Sequence, residues 1–498
     1  MTIPPMLTPL APGAPDVRPR FLSEADCHDI AQRVAQAARG GGYTVVQIQS
    51  TWRGNVRWAR NQVSTSGEDR DARVQVMRNV HGAGIMGVTV NAVTDEALGA
   101  AVRRCEAIVQ RQSPEWPESD LATYYHPEPF SAPQLFFDAT YQLDAKRRAA
   151  AARALMRSAT DAGMLSAGYV EVSAHSQAFI GSWGYTRYCQ YTWAQYSVTV
   201  RDPKGTGSGW AGVDWPDWNR IDGEKLSAIA LEKCLKSRNP VAIEPGRYTT
   251  ILEPQAVCDL VSVLVQWSLL RSTDSRMHGN ENDTEAPFNK KKGVSRLGER
   301  VVDERITIRA DPLDPDLGFP PFRNGRYPMD HNGILDPTED EFYHPATWIE
   351  RGILTQLWYG RPYAIEELGR PTGLYNSGAF RMSGGDTSVA EMVATTKRGL
   401  LVTRFDGVEE IDGTSVLCRG YTRDGLWLIE NGAITKPVMN LMFVESILFA
   451  LNNVEQLGPP QRAFHPMSSL DFYDLPAPVI VPPLKIRDFS FTALSGAI

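Results

Sequence analysis

The chain has 498 residues, 42% of them hydrophobic and 22% charged, an ordinary globular balance with length for about two to four domains. Lys and Arg number 51 against 58 Asp and Glu, for a formal net charge of −7. That balance argues against binding nucleic acid or a membrane surface through a basic face, which must displace counterions or meet anionic lipid.

Residues 1–18 carry five prolines and little apolar content, and read as a flexible tail. They lack a basic region followed by an apolar run, so no signal peptide is expected. Ser23 with Asp26 three residues later opens a helix over 23–39, in the manner of a capping box. Strands are predicted over 43–49, 57–63, 72–78 and 82–91, and an amphipathic helix over 94–112. A second helix covers 146–162, followed by strands over 169–175 and 190–201. Residues 204–212 read as a Gly/Ser-rich turn, and 222–236 as a helix ended by Asn239-Pro240.

From Val241 the character changes. A strand over 248–252 leads into an apolar helix over 254–270. Asp259 and Gln266 interrupt its apolar run, which is shorter than the roughly 20 residues a membrane span needs. The polar stretch 272–300 reads as a mobile surface loop. Hairpins follow over 348–359, at Arg351-Gly352, and over 425–437, at Asn431-Gly432. Residues 400–405 and 414–419 are β-rich runs, and 388–395 a short helix. The fold class expected is α+β: an N-terminal mixed domain over 19–240, then a β-rich domain with flanking helices over 241–498.

No residue stands out as self-sufficient chemistry. Cys27, Cys105, Cys189, Cys234, Cys258 and Cys418 are scattered with no CxxC pair, so reduced, buried thiols are expected in a soluble cytoplasmic protein. Neither HExxH nor HExxxH occurs among the eight histidines. Asp330, His331, Glu341 and His344 form the one acid–His cluster, better read as a polar turn and a strand start. Asp311, Asp314 and Asp316 lack the spacing of a calcium loop and sit among prolines. There is no GxSxG. Residues 383–386 form a Gly-rich turn that could hold an anion, although an N-cap by Asp386 or Thr387 is the simpler reading. The glycines of 205–212 carry no P-loop lysine.

Several segments, in order, resemble the TldD/PmbA family. They are Gly209-Trp210-Ala211-Gly212-Val213-Asp214-Trp215, then Lys236 to Pro240, then Pro245-Gly246-Arg247-Tyr248 leading to Leu252-Glu253-Pro254. Val302-Asp303-Glu304-Arg305, the hairpin Trp348 to Thr355, and Ile429-Glu430-Asn431-Gly432 with Thr435 and Pro437-Val438 continue the match. The turn is one residue shorter than the family's PxGxY. The resemblance covers about 20–495 and implies a metallopeptidase subunit. One family subunit, the TldD type, binds zinc through HExxxH on the helix after that strand and a Cys near the C-terminus. The other, the TldE or PmbA type, lacks this set. Here the corresponding positions are Ser262, Val263 and Trp267, and no His lies between His175 and His278.

The resemblance therefore implies a zinc-free, TldE-like subunit with no catalytic, cofactor-binding or metal-binding residue of its own. Zinc is expected in a TldD-like partner subunit, with an extended peptide as the shared substrate and neither nucleic acid nor membrane as a partner. An independent enzyme with a repurposed pocket, or a binding protein such as a gyrase modulator, are the alternatives.

Overall fold

A computed structural model describes residues 21–80, 84–110, 133–269, 287–291, 294–324, 340–359, 364, 368–370, 373–465 and 475–496. The expected tail over 1–18 and most of the expected loop over 272–300 lie outside them. Among the described residues the architecture is α+β and mostly strand.

Ser23 and Asp26 form the capping box, with the Asp26 carboxylate accepting from the Ser23 backbone N–H at 2.8 Å. Helix α1, Glu24–Ala37, buries Cys27, Ile30, Ala31 and Val34. Strands β1, Thr44–Ala59, and β2, Gln62–Val80, follow as one long antiparallel hairpin, rather than three short predicted strands. Arg60 and Asn61, at φ 52° and 59°, make its two-residue turn. Positive φ at both central positions matches the twist of the flanking strands. β3, Gly84–Val90, and helix α2, Asp95–Val109, complete this part.

After a single turn α3, Asp138–Tyr141, helix α4, Ala145–Asp161, leads into β4, Leu165–Gly181, β5, Thr186–Arg201, and β6, Ser208–Trp215. Helix α5, Gly223–Lys236, closes the series. The six strands form one antiparallel sheet in the order β3-β2-β1-β4-β5-β6. Period-two alternation gives the sheet two unlike faces. Val46, Ile48, Val74 and Val76 face α1 and α2, whereas Val56, Trp58, Val170 and Val198 pack with residues of α4 and α5. The other face carries Val45, Met77 and Phe179 at one end and is mostly polar beyond them.

The predicted turn over 204–212 is corrected by β6. Its glycines are there for contact: a Cβ on Gly209 would lie 2.1 Å from the Ala230 carbonyl oxygen and 2.4 Å from the Cys234 amide nitrogen. Both are helix backbone and cannot rotate away. Gly209→Ala is expected to push α5 off the sheet and lower stability by about 3 kcal/mol, as overpacking does. Urea unfolding with an unchanged slope would measure it.

After Pro240, β7, Gly246–Leu252, pairs in parallel with Arg398–Asp412 and antiparallel with Leu484–Leu494. Leu441–Ser446 and Leu417–Glu430 continue the sheet, and Leu417–Glu430 pairs back onto Arg398–Asp412. The sheet thereby closes on itself, which removes most open edges. Phe405, Phe443 and Phe489 fill its centre, with centroids 4.5 Å apart for the first two and 5.5 Å for the last two. Helix α6, Pro254–Val263, lies in the same core through Ala256, Val257, Leu260 and Val261. The helix predicted through residue 270 changes character at Leu264, where a wider π-turn runs to Ser268. There the Asn376 amide donates to the Val265 carbonyl at 2.5 Å, the kind of inserted side chain that widens a helix.

A second sheet runs through Ala346–Glu350, Ile308–Ala310, Phe380–Met382 and Val479–Val481 to Gln461–Ala463. Its last strand delivers residues 461–465 to the edge of β6. The predicted hairpins at Arg351-Gly352 and Asn431-Gly432 are present, all four residues having positive φ. The run over 414–419 is corrected: Leu417 opens its strand, after a turn.

Candidate functional site

The polar sheet face meets the C-terminal half of the chain. Backbone register arranges it as a grid across β2, β1, β4 and β5. One row is Arg73, Gln49, Gln177 and Cys189. The next is Asp71, Thr51, His175 and Tyr191, then Asp69, Arg53, Ser173 and Trp193. Further along, Glu171 stands beside Gln195, and Gln195 beside Asp214 of β6. Nine residues of the first three rows, all but Cys189, Ser173 and Trp193, line a cavity of about 230 Å³ together with Ser50, Ser176 and Leu475.

His175 forms the floor. It is buried, its Nδ1 lies 3.1 Å from Thr51 Oγ1 and its Nε2 2.8 Å from Ser173 Oγ, and its ring stacks on Tyr191 at 4.7 Å. Burial, aided by the nearby Arg53 charge, pulls its pKa down to about 3. The imidazole is therefore neutral at physiological pH, and serves as a fixed dipole rather than a proton carrier. Glu171 accepts from Tyr169 Oη and, at 3.0 Å, from Gln195 Nε2, with Arg53 Nε at 3.6 Å. Burial raises its carboxyl above the usual range against the pull of Arg53.

The grid runs into the C-terminal half at Asp214. Arg462 Nε donates to the Asp214 backbone oxygen at 2.6 Å and lies 3.2 Å from its Oδ1, while the His465 amide donates to Oδ2 at 3.2 Å. The Arg462 guanidinium also lies 4.0 Å from the Trp215 ring centroid and 5.4 Å from that of Trp193. On α6, Gln255 exchanges hydrogen bonds with the Phe464 backbone at 2.9 and 3.0 Å and donates to Asp259 Oδ1 at 2.8 Å. Asp259 Oδ2 accepts from the Phe405 amide at 2.9 Å. Burial pushes both Asp214 and Asp259 up to about 6. The segment 462–465 thus ties β6 to α6 through two buried carboxylates.

At the positions matched to the zinc helix, Ser262 is buried on α6, its Oγ 3.7 Å from Cys258 Sγ. Val263 ends α6, packed against the core. Trp267 lies in the π-turn, one residue after Gln266, whose amide meets His465 Nε2 at 3.2 Å. His278, Asp330 and His331 lie outside the described residues. His344 packs edge-on against Phe342 at 4.7 Å. Among the described residues no three His, Cys, Asp or Glu side chains are placed to hold a metal ion.

Asp311, Asp314 and Asp316 do form a rigid turn: Asp311 and Asp314 accept from the Leu313 and Asp316 amides, and Arg381 makes a two-pronged pair with Asp314 at 2.8 and 2.9 Å. The predicted cap at Asp386 or Thr387 is corrected to Ser388, which makes a capping box with Glu391 on the helix Val389–Ala394. All six cysteines are buried and free. Burial pushes the Cys27, Cys105, Cys189 and Cys418 thiols up to about 12, so they are inert.

Sequence reasoning passed over Glu171, Asp214, Asp259 and Arg462. One signal was legible: Glu171, Ser173, His175 and Gln177 recur with period two inside a strand, marking a polar face. No helix among the described residues is long and apolar enough to cross a membrane.

The sequence family described as PmbA/TldA metallopeptidase C-terminal domain matches residues 245–493, from β7 through the closing strand of the barrel. No curated protein matches the chain. Among solved structures, a candidate modulator of DNA gyrase from Bacteroides thetaiotaomicron is 17% identical at a TM-score of 0.70, with 95% of this chain and 100% of that one covered. A second candidate gyrase modulator, from Thermotoga maritima, is 14% identical at 0.71, covering 93% and 100%. TldE from Thermococcus kodakarensis is 14% identical at 0.67, covering 93% and 99%. These structures share the fold at identities too low to carry more. With its family match spanning half its length, the chain belongs to the PmbA/TldA metallopeptidase family, the TldD/PmbA family that its segments resemble.

Proposed function

We propose that this chain is the zinc-free, TldE-like subunit of a two-subunit metallopeptidase. A zinc-bearing TldD-like partner would supply the activated water, and this chain would supply a wall of the chamber that holds an extended peptide. The observation that carries the reading is the chemistry at Ser262 and Val263 on α6. A buried hydroxyl and an alkyl side chain offer no imidazole to ligate zinc and no carboxylate to act on a bound water. Both positions are instead absorbed into packing.

The polar sheet face supports the other half of the proposal. A peptide held in extended form is recognised mainly through its main chain, which gives affinity without sequence preference and excludes folded segments. Hydrogen-bonding side chains in rows two residues apart suit such a ligand. An independent enzyme using this same face is the runner-up, favoured by the bond from Tyr169 to the buried Glu171.

The test uses the full chain purified alone. Zinc content well below one equivalent and no cleavage of an unfolded peptide are expected. Stoichiometric zinc, or proteolysis that follows the chain through purification, would contradict the proposal.

A further inference from the structure

We propose that the cavity on the polar sheet face is a binding site for a dipeptide-sized zwitterion. This goes beyond the subunit reading and does not depend on it.

Three observations carry the inference. First, the cavity has charges of both signs at fixed spacing. Asp69, Asp71 and Arg73 follow one another at every second residue of β2, on the same face, and Arg53 stands directly across from Asp69. Asp71 and Arg73 are therefore separated by two residues of strand, about 7 Å. The ammonium and carboxylate of an extended dipeptide are separated by about the same distance. Second, Asp71 and Arg73 are exposed, and among the described residues neither has an ion-pair partner. Their charges are available to a ligand. Third, the floor holds a buried acceptor with nothing to accept. Gln177 is 2% exposed, and its Nε2 donates to the Phe322 carbonyl at 2.5 Å, which fixes the amide orientation. The residue lines the cavity, and its Oε1 has no hydrogen-bond partner. A buried polar atom left unpaired costs about 1–3 kcal/mol, and a ligand N–H would recover it.

The chemistry then assigns ends. The ligand's ammonium lies against Asp71, and its carboxylate against Arg73. The peptide N–H points to Gln177 Oε1. His175, neutral and held on both ring nitrogens, gives a floor that does not change charge across the physiological range.

The experiment is calorimetric titration of the full chain, alone, with alanyl-alanine, its N-acetyl form, its C-terminal amide and free alanine. Alanyl-alanine is expected to bind, and each capped form to bind about tenfold more weakly or worse. Asp71→Asn should remove the discrimination against the N-acetyl form while keeping that against the amide, and Arg73→Gln should do the reverse. Both residues are exposed, so the variants should fold; a circular dichroism melt checks that. Equal binding of capped and uncapped forms, no binding of alanyl-alanine by the folded wild type, or tighter binding of free alanine would each overturn the proposal. Because no partner subunit is present, none of these results bears on the zinc-free reading.

Discussion

Arg462→Ala is expected to destabilise the chain by about 3–5 kcal/mol, the loss seen when one member of a buried ion pair is removed. Both members are deeply buried: the Asp214 side chain is 0% exposed and that of Arg462 5%. Truncation leaves the buried Asp214 carboxylate without its counter-charge and removes the guanidinium from the faces of Trp193 and Trp215. It also breaks the bond from Arg462 Nη1 to the Asp316 carbonyl at 2.7 Å, so the loops at 314–318 and 462–465 lose a shared anchor. Most of this loss is the cost of a stranded charge, not the net worth of the pair. The double variant Arg462→Met with Asp214→Asn should therefore be markedly milder than the sum of the singles. Denaturant unfolding of the four chains in the cycle checks this. Additive losses would mean that the two groups do not act as a pair.

The second large effect is a fall in stability as pH rises from about 4 to about 6. Asp214 and Asp259 both have folded values of about 6 against an ordinary aspartate value of 3.8, chiefly through burial. Between those values the folded chain holds protons that the unfolded chain has released. The linkage slope is then negative: the stabilisation is complete below about pH 4 and lost as pH passes 6. A shift of about two units corresponds to about 3 kcal/mol for each group. Carboxylates held below the usual range, such as Asp303 beside Arg305, act in the opposite direction but only as pH falls through their own lowered values. In the window from 4 to 6 the buried His175, held at about 3 against an ordinary 6.5, offsets part of the fall, whereas Glu171, Glu410 and Glu445, raised by burial, add to it, so the two aspartates set the sign and not the whole size of the trend. Urea midpoints at pH 4.5, 5.5 and 7 should decline in that order, and Asp214→Asn and Asp259→Asn should each flatten the trend. A midpoint that rises with pH, or variants with the wild-type slope, would remove these two groups from the account.

Sequence patterns carried the fold class and failed at specific places for specific reasons. The caps and turns were legible where chemistry is local: Ser23 with Asp26, Arg351-Gly352 and Asn431-Gly432 act through their own backbones. The β1–β2 hairpin was not, because its outer half, including Ser64, Ser66, Glu68 and Asp69, is too polar and too little buried to alternate. Its Arg60-Asn61 turn has no glycine to announce it. Strand β6 was hidden by glycines that look like a turn and in fact admit α5. The zinc-helix positions were found only through resemblance, and α6 does stand where that resemblance puts a helix. The candidate site was harder still. Asp214 and Arg462 are 248 positions apart, and Gln255 and Phe464 are 209 apart. No local pattern announces such a pairing, because it is made by the second sheet delivering its edge strand to β6.

Buried carboxylates at this junction hold α6 in place. Asp259 and Gln255 fix α6 to the barrel strand at Phe405 and to the segment at Phe464. Both oxygens of Asp259 are engaged, Oδ1 by the Gln255 side-chain amide and Oδ2 by the Phe405 backbone N–H.

The central claim is that this chain completes a peptidase whose zinc lies in another subunit. It is tested most directly by titrating the purified chain into a fixed amount of a zinc-bearing TldD-like subunit and following cleavage of an unfolded peptide. Cleavage is expected to rise with added chain, saturate near one equivalent, and vanish when the partner's zinc is chelated. Cleavage that is unchanged by the added chain, or that persists in this chain after zinc is removed from the mixture, would contradict it.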